Sequence, residues 1–138
     1  MEKQIEMEST GDGGGPPERI VAIIVDDAID GVDVGWLELQ STAVLLFLGK
    51  AQSKLTVRVV NDITMSQLHE KHSNNRETTD VLTFDNGSSE SVIDADIAIC
   101  SEVATRATRD QKHTLNEELL LYIVHGVLHC IGFDDHDE

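Results

Sequence analysis

A chain of 138 residues is long enough for one domain with a hydrophobic core and too short for two of ordinary size. Ten Lys and Arg against 26 Asp and Glu give a formal net charge of -16, which opposes non-specific attraction to phosphate or anionic lipid, so a nucleic-acid partner would have to be held by a local basic patch. Only two cysteines occur, each in an apolar run, and there is neither a signal-peptide pattern nor an apolar run of membrane-spanning length, so a disulfide-stapled secreted domain and a membrane protein are excluded and a cytoplasmic protein is expected.

Residues 1–18 hold Glu2, Glu6, Glu8, Asp12 and Glu18 and end in Gly13-Gly14-Gly15-Pro16-Pro17. That composition buries too little apolar surface to offset its ordering entropy, and a disordered acidic tail is expected, followed by a single domain over 19–138. Arg19 to Asp27 carries a β-branched run that reads as a strand stopped by two aspartates. Val34 to Leu48 is apolar at mostly helical spacing and reads as a buried amphipathic helix. Leu55 to Val60 alternates as a strand, and Asn61-Asp62 ends it. Thr64 with Gln67 has the spacing of a capping box, predicting a short helix through Leu68 before the polar stretch His72 to Thr79.

Asp80 to Phe84 is a third strand, Asp85 to Glu90 is turn-rich, and Ala95 to Cys100 is a fourth strand. Ser101 to Arg109 reads as an exposed helix. Thr114 with Glu117 caps a last helix that is apolar almost all round from Leu119 to Ile131, with Gly132 to close it. Strands and helices in this order predict an α/β (α+β) fold: a small four-stranded mixed sheet with flanking helices and the last helix packed across it.

That last helix carries His125 and His129, four residues apart, so both imidazoles project from one face about one turn apart. Two ring nitrogens placed so can grip one metal ion. Gly132 turns the chain, and Asp135, ten after the first histidine, can return to complete a three-ligand zinc site with a fourth position open to a metal-bound water. The spacing is that of the extended zinc-peptidase motif with two replacements: Asp for the third His, and Gly126 where the peptidases carry the catalytic Glu. Peptide hydrolysis of the usual kind therefore lacks its base, whereas a metal can still hydrolyse a phosphodiester given another base and a cation for the developing charge. His69, His72 and His113 stand alone on polar segments and read as solvated. Lys50, Lys54 and Arg58 read as a solvated face, with an RNA-binding surface as the alternative.

The run His125-Gly126-Val127-Leu128-His129-Cys130-Ile131-Gly132-Phe133-Asp134 resembles the H-G-x-L-H-x-x-G-x-D-H signature of the YbeY endoribonucleases. Thr79 to Phe84 is similar to that family's T-D-V-L-S-F strand, and Ala95 to Cys100 to its G-D-I-x-I strand, in the family's order. The resemblance implies a zincin-like fold with a central metal-bearing helix, one Zn(2+) per chain, and a single-strand-specific endoribonuclease. It also implies action in 16S rRNA 3′-end maturation and ribosome quality control, with single-stranded RNA and the small ribosomal subunit as partners. Two positions depart from the pattern. Asp135 stands where the family's third histidine is expected and His136 lies one further, so either is a candidate third ligand. The family arginine ahead of T-D-V-L-S-F is replaced by Ser73, which leaves Arg76 as the nearby candidate for a catalytic, phosphate-balancing role. A non-catalytic ribosome-assembly factor stapled by its metal, or a peptidase-like hydrolase, are the alternative functions.

Overall fold

In the computed structural model the described residues are 20–132. The acidic tail expected at 1–18 and both candidate third ligands, Asp135 and His136, lie outside them. Each β-branched run becomes a strand: β1 (Val21–Val25), β2 (Lys54–Val60), β3 (Val81–Asp85) and β4 (Asp94–Cys100). They form a four-stranded sheet in the order β1-β2-β4-β3. β1, β2 and β4 run parallel, while β3 pairs antiparallel with β4 in the register Thr83 to Ile97, so the sheet is mixed as expected.

Alternation along the strands divides the core between the two sheet faces. Leu55, Val57 and Val59 of β2 and Ala95, Ile97 and Ile99 of β4 pack with α1 (Val34–Phe47) and α4 (Leu115–Cys130). Leu82, Ala98 and Cys100 turn to the other face, where Met65 and Leu68 of α2 (Asp62–Ser73) cover them. α3 (Ser101–Thr108) follows β4 directly and buries Ser101 and Ala104. No helix among the described residues is long and apolar enough to cross a membrane.

Two expected elements differ from what forms. α1 forms and buries one face as expected of an amphipathic helix, with Leu37 and Leu45 in the core, but its outer face is apolar too: Leu39, Leu46 and Phe47 are exposed, Phe47 by 90%. Its apolar residues occupy both faces, so their number exceeded what one contact could cover. α2 begins at Asp62 and runs to Ser73, because Asn61, which reads as a strand terminator, caps it by accepting the Thr64 N–H at 2.9 Å. The Thr64–Gln67 spacing is thus inside the helix and not at its start.

Candidate metal centre

α4 is anchored first at its N-terminus. Thr114 and Glu117 form the expected capping box. Asn116 ties this end to the loop before α1, donating to the Gly31 carbonyl at 3.0 Å and accepting the Asp33 N–H at 2.8 Å. From there Leu119, Tyr122, Ile123, Gly126 and Val127 face inward, whereas Leu121, His125 and His129 are exposed. The two histidines therefore share one outward stripe, one turn apart, as their spacing requires. Gly132, at φ 96°, closes the helix by donating to the His129 carbonyl at 3.2 Å.

Gly126 is the point of closest approach between α4 and the sheet. A Cβ there would lie 2.6 Å from Ile97 Cδ1 and 3.0 Å from Thr83 Oγ1. The position that carries the base in zinc peptidases is filled by side chains from the sheet, so a glutamate there requires Ile97 and Thr83, or the helix, to shift. Two residues beyond Thr83 on the same strand, Asp85 comes beside the last turn of α4. Its carboxylate accepts the Ser88 N–H at 2.7 Å and the Gly87 N–H at 3.0 Å. Those Ser88 bonds, then Gly87 and the neighbouring His129, hold Asp85 below the usual carboxylate range. Next to His129, burial pushes the Cys130 thiol up, and Asp85 pushes it further.

Among the described residues no group of three or more His, Cys, Asp or Glu could hold a metal ion. His125 and His129 supply two imidazole donors on an exposed face, which fits a zinc site whose third ligand comes from the residues after Gly132. Arg76 sits elsewhere, in the loop from α2 to β3, and α2 covers the sheet face opposite α4. Its Nε lies 3.4 Å from Glu70 Oε1, with 82% of its side chain exposed. The loop beneath it is fixed by α2: the Ser66 hydroxyl donates to the Arg76 carbonyl, and His69 Nδ1 meets the Glu77 carbonyl at 2.7 Å. Ser73, at the position of the family arginine, donates to the His69 carbonyl at 3.0 Å.

The other histidines are not merely solvated. Besides His69, His72 packs edge-on against Phe84, with ring centroids 4.8 Å apart, and His113 Nε2 lies 2.6 Å from Glu118 Oε1. Asp85 is the residue near the site that the sequence did not single out; its D-N-G run signalled only a turn, and the turn is what brings the carboxylate to His129.

Comparison with known proteins places these elements in a family. The family described as Endoribonuclease YbeY matches residues 36–138. A protein named endoribonuclease YbeY from Beutenbergia cavernae is 37% identical over 92 residues, covering 60% of this chain and 61% of the relative. The chain therefore spans about three fifths of that relative's length. The protein of the same name from Paracidovorax citrulli is 34% identical over 107 residues, 75% of this chain and 70% of the relative. The solution structure of the Thermotoga maritima protein TM1509 shares the fold at a TM-score of 0.57 and 22% identity, covering 86% of this chain and 76% of that one. With the match running from α1 through the helix of His125 and His129 to the last residue, the chain belongs to the YbeY endoribonuclease family.

Proposed function

We propose that the protein is a zinc-dependent, single-strand-specific endoribonuclease of the cytoplasm that acts in 16S rRNA 3′-end maturation and ribosome quality control, on the small ribosomal subunit. What supports this most directly is the pair of exposed imidazoles on α4, one turn apart, in the segment that the endoribonuclease family matches. His125 and His129 hold one Zn(2+) per chain through neutral ring nitrogens, on a helix used as zincins use theirs. Asp135 is the third ligand: it stands ten residues after His125, and zinc takes a carboxylate oxygen with little geometric penalty. Its neighbour His136 acts as an outer partner. When bound, zinc supplies a Lewis acid that polarises a phosphoryl oxygen and activates water. Gly126 leaves no room for a peptidase glutamate, which steers the site away from peptides. Arg76, exposed and 3.4 Å from Glu70 on the sheet face opposite α4, is proposed to exchange that partner for an RNA phosphate away from the metal helix and balance negative charge there.

The test is elemental analysis of purified protein together with gel assays on single-stranded RNA, double-stranded RNA and casein, with and without chelator. One equivalent of zinc and chelator-sensitive cutting of single-stranded RNA alone are expected. Casein cleavage without RNA cleavage reverses the reading, and zinc binding with neither activity leaves a metal-stapled assembly factor. Competitive chelator titration addresses the ligands: Asp135→Ala weakens zinc binding at least about tenfold and His136→Ala less. The opposite order moves the third ligand to His136.

A further inference from the structure

An open cleft of about 680 Å³ borders the last turn of α4. Its walls are Leu48 and Lys50 from the turn between α1 and β2, Ser89 and Glu90 from the turn between β3 and β4, and Cys130 and Ile131 from α4. Cys130 directly follows His129, so the cleft opens beside the metal helix. Its volume suits a small organic group such as one nucleotide. Resting on the endoribonuclease reading above, we infer that this cleft is the subsite for one nucleotide of the RNA strand next to the cleaved phosphodiester. The phosphate sits on Lys50 and the base lies against Leu48 and Ile131.

Lys50 is suited to this by its freedom from other anions. Arg58 is committed to Asp26 by contacts of 2.8 and 2.9 Å, Arg106 to Asp62, and Arg76 leans on Glu70. Lys50 makes no ion pair among the described residues. Its backbone is nonetheless fixed. Gly49 takes a left-handed φ of 75°, and the Lys50 N–H donates to the Leu45 carbonyl at 2.8 Å, the closing bond of a Schellman turn. The side chain thus starts from a fixed backbone position in the cleft wall. Glu90 on another wall repels phosphate, so the backbone of the strand is kept to the Lys50 side and the base is directed inward. A base can enter only when unstacked and unpaired, which gives a preference for single strands a physical source in this cleft. On a chain with a net charge of -16, one unpaired cation beside the metal face also supplies the local attraction that the whole molecule lacks.

The experiment measures cleavage of a single-stranded oligoribonucleotide by zinc-loaded wild type, Lys50→Gln, Lys50→Arg and, on α2, Lys71→Gln, at about 50 and about 200 mM salt. Lys50→Gln is expected to raise KM about fivefold with kcat within about twofold, as loss of uniform binding does. The slope of log KM against log salt falls by about 0.7, one phosphate contact on a single strand. Lys50→Arg keeps the wild-type KM, and Lys71→Gln matches wild type. Zinc content is the same in all four, which separates substrate binding from damage to the metal site. If wild type cuts RNA and Lys50→Gln has its KM and salt slope unchanged, the subsite is wrong and the functional reading stands. If zinc-loaded wild type cuts no RNA, both fall together.

Discussion

Gly126 shows how one residue serves packing and chemistry at once. A mid-helix glycine costs roughly 1 kcal/mol against alanine in helix propensity, so its presence inside α4 calls for a compensating contact. The contact is the sheet: an added Cβ would meet Ile97 Cδ1 at 2.6 Å and Ile97 Cγ1 at 3.2 Å, and Ile97 is 1% exposed with little room to move. Overpacking of this kind costs about 1–3 kcal/mol and offsets or outweighs the propensity gain, so Gly126→Ala is expected to lose up to about 2 kcal/mol in urea unfolding. A higher midpoint would mean that α4 can lift from the sheet, and the packing account of this glycine would fail. The pairing of His125 with His129 was legible because helical periodicity alone sets their common face. The place of Asp85 beside His129 was not, since only the β3–β4 turn, closed by the Ser88 and Gly87 N–H groups, carries it there.

At the scale of elements, α2 and α3 are joined through one carboxylate. Asp62, the first residue of α2, accepts Arg106 Nη1 at 2.7 Å and Nη2 at 3.0 Å, and its backbone N–H donates to Glu102 Oε1 at 2.7 Å. The Arg106 guanidinium holds the Asp62 carboxyl below its ordinary value of 3.8, helped by bonds from Cys100 and Thr78. Since the folded value lies below the unfolded one, Asp62 contributes stability that is present above 3.8 and lost as pH falls through the folded value. The pair is partly solvated, so its worth is small. Asp62→Asn is expected to cost about 1 kcal/mol at neutral pH, and this difference from wild type shrinks below pH 3.8. Urea midpoints of both proteins across that pH range are the check, and a constant difference would assign the loss to packing instead. Strands were easy to read here because β-branched runs such as Val57 to Val60 suit a half-buried pleated surface. α4 was easy because its capping box and closing glycine are local chemistry. The start of α2 was hidden, as Asn61 serves equally as a strand end or a cap, and the exposure of Leu39, Leu46 and Phe47 was hidden because apolarity does not say which face finds a partner.

For the whole molecule, charge acts on stability and on substrate in opposite directions. Residues 20–132 carry 17 Asp and Glu against 8 Lys and Arg, and the terminal segments add further acids. Excess like charge in a compact fold is self-repulsive. The ion pairs Arg58–Asp26, Arg106–Asp62 and Arg76–Glu70 are all substantially exposed, and such pairs contribute at most about 1 kcal/mol each. Raising salt from about 20 to about 200 mM shortens the screening length from about 20 Å to about 7 Å. Long-range repulsion over the acidic surface is removed by this, while contacts near 3 Å are affected less. The net effect is stabilisation, and Tm is expected to rise by about 2–4 °C over that interval. The same salt weakens attachment of RNA phosphate to the few free cations, so KM for RNA rises as Tm rises. Thermal melts and cleavage rates in one chloride series, at fixed zinc, give both curves. A Tm that falls with salt would show that the local ion pairs outweigh the repulsion of the acidic surface, and that the surplus of acids costs the folded state little.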